Sequence, residues 1–188
     1  MAALAAGLVV SFAIGRYPVS ARELFGIVFS KAFPIEPFWT ARMETVLFNV
    51  RMPRILLACM VGCCLSAAGA AYQGIFQNPM AAPDVLGASA GAAFGAALAI
   101  LLNLGGRMVT ALAFLFSLLT VLLVWLVSRR AKGKRVLGLV LSGIMVSSLF
   151  SAGTSFIKLV ADPSNQLPAI TYWLMGSLAG AKQKDVAF

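Results

Sequence analysis

The stretch that decides the fold covers residues 55–84 and reads ILLACMVGCCLSAAGAAYQGIFQNPMAAPD. Its first part, Ile55–Phe76, contains no charged residue. It is long enough to cross a hydrocarbon core about 30 Å thick, which takes roughly 20 apolar residues. The second part, Gln77–Asp84, holds two prolines and predicts a tight turn. The stretch therefore predicts a membrane-spanning helix followed by a short connection.

Long uncharged runs recur along the whole chain, in which 61% of the residues are hydrophobic and 11% are charged. A soluble domain carries about 25% charged residues. The apolar runs occupy residues 1–15, 55–76, 85–104, 108–128 and 136–157. All eight prolines lie outside them, where the lost backbone donor does least harm. We predict an all-α, polytopic transmembrane helical bundle with about five spans. The run at 1–15 is short, and a signal-peptide core is its less favoured alternative.

The connections between these runs differ in length and charge. Residues 16–54 form a long predicted loop on the outer face, with a possible amphipathic helix at Ala21–Phe29. Residues 129–135 hold five basic side chains in seven positions. Basic residues in short loops favour the cytoplasmic side, so we expect this cluster, the N-terminus and residues 77–84 inside. The six basic residues of the loop 16–54 oppose this by number, but they are spread among acids.

Small residues recur every four positions in two of the runs, which is typical of helices that pack closely in lipid. They are Gly62, Ser66, Ala70 and Gly74 in one run, and Gly87, Gly91 and Gly95 in the next. Three cysteines lie in the first of these runs, and we expect them to be apolar filler. They are Cys59, Cys63 and Cys64.

Composition excludes several classes of function. The net charge of +9 suggests nucleic acid, but the basic residues sit in short loops instead of on a soluble basic domain, so we expect no nucleic-acid partner. The chain has no histidine, none of its six acids lies inside a run, and it has no phosphate-binding glycine loop. We therefore expect no enzyme, no cofactor and no metal site.

Three polar residues stand out at the ends of the runs. Asp84 precedes the third run, where we expect it to cap a helix; a substrate or proton role is the alternative. Arg51 and Arg54 flank Pro53 at the start of the second run. They are equally compatible with snorkelling to lipid headgroups and with docking the acidic residues of a partner.

Residues 49–54, NVRMPR, together with 78–92, NPMAAPDVLGASAGA, and 172–178, YWLMGSL, carry a family resemblance. From about Gly15 onward the sequence resembles the FecCD or BtuC-like permeases, which belong to type II ATP-binding-cassette importers for iron–siderophore complexes, haem and cobalamin. The resemblance implies a dimer of ten-span subunits in the bacterial cytoplasmic (inner) membrane. A separate pair of ATPase subunits and an extracytoplasmic substrate-binding protein are the implied partners.

The resemblance also implies roles for individual residues. Arg51 and Arg54 match arginines that receive glutamates of the binding protein. Asn78 and Met80 match a tight loop that narrows the path at the cytoplasmic gate. The segment 136–142 matches a second gate element, for which Leu137 and Ser142 are our candidates.

Relatives of this kind are much longer, so the chain resembles the front half of a permease and is expected to be a fragment. Without the second half we expect no coupling of ATP hydrolysis to transport. The alternative is a membrane scaffold or assembly protein that transports nothing. A membrane-embedded enzyme is the weakest hypothesis, because intramembrane ionisable residues are missing.

Overall fold

The computed structural model describes the chain except for residues 1, 14, 16, 18, 31–32, 35, 78–81, 131–134 and 187–188. Regular structure in the described part is helical throughout, which confirms the predicted all-α class. The chain divides into two compact units. We call Met1–Cys64 with Leu178–Phe188 the arginine unit, and Leu65–Ser177 the bundle unit.

The helices follow one another with short connections. In chain order they are α1 (Ala2–Ala13), α2 (Ala21–Phe29), α3 (Ala41–Val46), a π-helical turn (Leu47–Arg51), α4 (Met52–Phe76), a 3-10 turn (Pro83–Leu86), α5 (Ala88–Leu101), α6 (Gly106–Arg130), α7 (Arg135–Val160), α8 (Gln166–Met175) and α9 (Gln183–Val186).

The predicted amphipathic helix is present as α2, with the predicted bounds. Ser20 caps it, and Glu23 returns the bond by accepting from the Ser20 backbone N–H at 2.8 Å. Hydrogen bonds from the backbone and the hydroxyl of Ser20 stabilise the carboxylate and lower the pKa of Glu23. On the inner face Leu24 and Ile27 are buried against Leu47.

The helix that contains the second apolar run, 55–76, begins earlier than predicted. It starts at Ala41 instead of Ile55, because Thr40 caps α3, and it continues without a break to Phe76. The predicted loop 16–54 is therefore wrong in its last part. A proline inside a regular helix clashes with the carbonyl four residues before it. Here the wider π-helical turn precedes Pro53, and the Met52 N–H donates to the Leu47 carbonyl.

The core of the bundle unit is the contact of α5 with α6 and α7. A Cβ at Gly91 would lie 2.6 Å from the Phe116 carbonyl oxygen, and one at Gly95 would lie 2.8 Å from the Leu112 carbonyl carbon. The missing side chains therefore let the backbone of α5 touch α6. Three rings, one from each helix, fill the space beside this contact, with centroids 5.2 to 6.3 Å apart. They are Phe94, Phe116 and Phe150.

The start of α5 differs from the prediction that Asp84 caps it. Gly87 is the cap residue, with φ +68°, and no side chain caps the helix. The left-handed conformation of Gly87 separates the 3-10 turn from α5, so Asp84 lies one turn too early. Its carboxylate accepts a hydrogen bond from the Ser89 hydroxyl instead.

Three helices of the described part are long and apolar enough to cross a membrane. They are Ala41–Phe76, Gly106–Arg130 and Val136–Val160. The runs at 1–15 and 85–104 are helical where expected, but α1 has 12 residues and α5 has 14. A helix of 14 residues is only about 21 Å long. The crossing of the membrane by these two helices stays a prediction.

The bundle unit also contains a helix that the sequence did not indicate. Helix α8 covers Gln166–Met175, a part of the chain for which we predicted no helix. The side-chain amide of Gln166 donates to the Leu101 carbonyl at 3.0 Å and to the Asn103 side chain at 3.3 Å. These bonds tie the start of α8 to the end of α5.

The two small-residue stripes differ in what they contact. The glycines of α5 pack closely, as predicted. A Cβ at Gly62, Gly69 or Gly74 would meet no described atom within 4 Å. The packing predicted for the α4 stripe is therefore not seen within the described residues.

We expect Gly91→Ala to destabilise the protein and Gly69→Ala to stabilise it. Both replacements gain about 0.5–1 kcal/mol of helix propensity. At Gly91 the added methyl group must push α5 away from α6, which costs about 1–3 kcal/mol. Thermal unfolding of the two variants in one detergent measures the difference. Equal unfolding temperatures would contradict the close contact of α5 with α6.

Candidate functional site

Arg51 lies at the end of the π-helical turn and is buried, with 8% of its surface exposed. Its guanidinium donates hydrogen bonds to the backbone carbonyls of Phe12 and Tyr17. Gly15 makes room for it, since a Cβ there would lie 2.5 Å from a guanidinium nitrogen. Arg51 therefore holds the connection between α1 and α2 against the start of the long helix.

Arg54 lies at the first turn of α4 and is less buried than Arg51. One of its terminal nitrogens donates to the Ala179 carbonyl. Its Nε is buried and has no hydrogen-bond partner among the described residues. An arginine has five N–H donors and no acceptor, so Arg54 has capacity for a further acceptor.

The two arginines border one cavity of about 300 Å³ in the arginine unit. Ser11, Gly15 and Tyr17 form part of its wall. The structure thus brings together the two residues that the sequence pairs. It also distinguishes their contacts, because the Arg51 guanidinium is held by backbone carbonyls whereas the Arg54 Nε has no acceptor among the described residues.

A second feature is an open groove of about 630 Å³ in the bundle unit, between the 3-10 turn and α7. We call it the serine groove. Asp84 and Val85 border it on one side, and α7 contributes three serines with Val140 and Ile144. The serines are Ser147, Ser148 and Ser151. No basic residue belongs to the described lining of this groove. Its lining thus combines one carboxylate with hydroxyl and apolar groups.

The predicted gate residues lie in different surroundings. Leu137 is 56% exposed on α7, whereas Ser142 is 5% exposed and faces the interior of the bundle unit. Next to Ser142, Gly143 lets the Val85 carbonyl approach α7. Because Ser142 is buried, it does not line an open path in this structure. Asn78 and Met80 lie outside the described residues, so their predicted role stays a prediction.

The cysteines form no metal centre in the part of the chain that the structure describes. The side chains of Cys63 and Cys64 are exposed on α4, and that of Cys59 is partly buried. We expected the three cysteines to be small apolar side chains that fill the helix packing. The exposure of Cys63 and Cys64 differs from this expectation.

The serine groove was missed at the level of sequence. A signal for it existed, because hydroxyl residues of α7 recur at helical spacing, at positions 148, 151 and 155. This spacing places them along one face of a helix. Serine is common in membrane helices for packing reasons alone, so the pattern did not distinguish a groove from a helix contact.

Comparison with known proteins supports the family resemblance that the sequence motifs indicate. A sequence model of the FecCD transport family matches residues 3–188. The molybdate import system permease protein MolB of Haemophilus influenzae is 37% identical over 182 residues, covering 96% of this chain and 53% of that protein. The cobalamin import system permease protein BtuC of Halobacterium salinarum is 38% identical over 144 residues, covering 76% of this chain and 38% of that protein.

A solved structure is also similar. It is described as an inward-facing conformation of an ABC transporter of metal-chelate type. It superposes with a TM-score of 0.80 at 35% identity, covering 98% of this chain and 54% of the solved chain. The chain thus spans about half the length of this structure and of MolB.

We expect Arg51→Lys to loosen the arginine unit more than Arg54→Lys does. A lysine cannot bond two separate carbonyls in the fork geometry of arginine. Each hydrogen bond from a charged group contributes about 1.5–3 kcal/mol. Limited proteolysis in the connection between α1 and α2 measures the effect. Equal cleavage of both variants would contradict the role of Arg51 as a clamp.

Proposed function

The chain belongs to the FecCD transport family, and we propose that it forms part of the permease of an ATP-binding-cassette importer for a metal chelate. The observation that carries this proposal is the match of the family over residues 3–188. The three long apolar helices support a place in the membrane. The activity itself is a proposal, because the chain spans about half the length of MolB.

The same proposal includes the location and the partners of the chain. The chain is part of a multi-pass protein of the bacterial cytoplasmic membrane, and this protein pairs with a second permease subunit. ATP hydrolysis belongs to separate cytoplasmic subunits, and an extracytoplasmic binding protein delivers the substrate. The basic segment 129–135 faces the cytoplasm, by the rule that positive charge stays inside. The Arg54 end of α4 then faces outward.

For the substrate, the serine groove favours a metal chelate over a bare oxyanion. Asp84 is a carboxylate at the edge of the groove, and the described lining offers no basic residue. A doubly charged oxyanion would meet repulsion there without a compensating cation. A chelate with an apolar or uncharged outer surface, such as cobalamin or a neutral siderophore complex, fits the serine, valine and isoleucine side chains, whereas the two carboxylates of haem would meet the same repulsion as an oxyanion.

Molybdate is the second candidate, because MolB matches 96% of this chain. In both cases we propose that the gate lies at the turn 77–84 and at the exposed face of α7 that includes Leu137. Asn78 and Met80 keep their proposed place in this gate. Ser142 is replaced in our proposal by Ser148, which borders the groove.

We propose that Arg54 docks the binding protein and that Arg51 supports it indirectly. Paired with a carboxylate, arginine forms two parallel hydrogen bonds. Arg54 as a residue is only partly buried, and one of its five N–H donors binds the Ala179 carbonyl, so its guanidinium keeps donors for such a pair. The Arg51 guanidinium already donates hydrogen bonds to the Phe12 and Tyr17 carbonyls.

An uptake assay tests the transport proposal and separates it from the scaffold alternative. The complete reading frame that contains this chain is expressed with its ATPase and binding protein, and the uptake of a radiolabelled iron siderophore, haem, cobalamin and molybdate is measured in turn. We expect ATP-dependent uptake of a metal chelate and no uptake of molybdate. Uptake of molybdate alone would favour the second candidate. Absence of uptake for every substrate would favour the scaffold.

We expect Arg54→Glu to weaken docking of the binding protein at least about tenfold, since a close charge pair is worth about 1.5 kcal/mol or more. The control is Arg42→Glu, which reverses an exposed charge on α3 of the same unit. Surface plasmon resonance with the permease in nanodiscs measures the dissociation constant. Equal affinities of the two variants would contradict the docking role of Arg54.

A further inference from the structure

Helix α2 carries large apolar side chains on both of its faces. Leu24 and Ile27 are buried in the arginine unit. On the other side Phe25, Val28 and Phe29 are 51%, 48% and 51% exposed. A helix at a water-exposed surface normally keeps its outer face polar. The outer face of α2 therefore needs a partner other than water.

The exposed apolar surface continues beyond α2. Phe33 is 61% exposed and its backbone N–H donates to the Phe29 carbonyl at 2.9 Å. Phe38 is 49% exposed and packs on α2 at Gly26. Large exposed apolar residues that cluster in this way mark an interaction surface. We call Phe25, Val28, Phe29, Phe33 and Phe38 the aromatic patch.

The position of α2 along the long helix places the aromatic patch near the edge of the bilayer. The inner face of α2 packs on Leu47, eight residues before the uncharged run that starts at Ile55. Eight residues of helix measure about 12 Å, which is the diameter of one helix with its side chains. A helix lying against Leu47 extends about half its diameter toward Ile55, so its near edge lies about 6 Å outside the uncharged run, within the headgroup layer.

The charge at the aromatic patch also suits a lipid surface. The Arg22 guanidinium lies 5.3 Å from the centroid of the Phe38 ring. Arginine beside aromatic rings is typical of helices that lie in the membrane interface, where the cation meets phosphate and the rings enter the acyl boundary. Of the acids near the patch, Glu23 is occupied by the Ser20 cap, and Glu36 is exposed between Phe33 and Phe38.

We propose that α2 is an interfacial helix whose aromatic patch inserts into the lipid leaflet at the Arg54 end of α4. The occupant of the patch is the bilayer itself, with Arg22 at the level of the lipid phosphates. The inner face of α2 is fixed to the long helix, and Arg51 holds the segment before α2. The interfacial helix thereby sets the height of Arg54 above the membrane. This proposal holds for any substrate.

Fluorescence quenching by brominated lipid tests the insertion. All tryptophans of the complete protein, among them Trp39, Trp125 and Trp173, are replaced by phenylalanine. A single tryptophan is then introduced by Phe25→Trp, by Phe29→Trp or, as the control, by Ala41→Trp. Ala41 is exposed at the start of α3, about 21 Å of helix before Ile55. Each variant is placed in nanodiscs of phosphatidylcholine brominated near the headgroup end of the acyl chains.

We expect both Phe25→Trp and Phe29→Trp to be quenched about threefold more than Ala41→Trp, because interfacial helices bury their apolar face by only about 5–10 Å. Circular dichroism establishes that each variant is folded, and the two positions serve as independent checks. Quenching equal to that of Ala41→Trp would overturn the proposal. Weak quenching combined with a blue shift of the tryptophan emission when the binding protein is added would also overturn the proposal. That result would mean that the aromatic patch docks a protein.

Discussion

The backbone of α5 approaches α6 at Gly91 and Gly95, and the arrangement of the bundle unit depends on this approach. In lipid the hydrophobic effect does not drive helices together, so close van der Waals contact must do so. The contact fixes α5, and the left-handed residue Gly87 then turns the chain at its start. The 3-10 turn that precedes Gly87 therefore lies against α7, where Gly143 admits the Val85 carbonyl. The serine groove is the space that remains beside this contact.

The arginine unit depends on a different constraint, which is the burial of a cation. A buried guanidinium must have acceptors, because an unpaired charge away from water is costly. The carbonyls of Phe12 and Tyr17 supply them for Arg51. These two hydrogen bonds organise the connection from α1 to α2. They also occupy the Arg51 N–H donors that form them. Two arginines that look equivalent in the sequence consequently differ in their contacts, since Arg51 binds two carbonyls near the connection from α1 to α2 and Arg54 binds the Ala179 carbonyl.

The sequence predicted the helices better than their ends. Hydropathy located the apolar helices because each run is uncharged, and the bounds of α2 were correctly predicted. The start of the long helix at Ala41 was missed, since Pro53 signalled a boundary that a π-helical turn accommodates. The cap of α5 was assigned to Asp84, because nothing local shows that Gly87 adopts a positive φ. The burial of Arg51 and Ser142 depends on contacts between distant segments, which one sequence does not reveal.

The hydroxyl groups of α7 explain how a polar groove can exist among apolar helices. Ser148 borders the groove and donates to the Ile144 carbonyl, so this hydrogen-bond donor is satisfied within the helix itself. What the Ser148 hydroxyl offers outward is acceptor lone pairs, which make only weak contacts. A transport path needs binding that is favourable enough for entry and weak enough for exit. If the groove lies on the path, as we propose, its serine, valine and isoleucine side chains meet both conditions, whereas a lining made of free charges would hold the substrate.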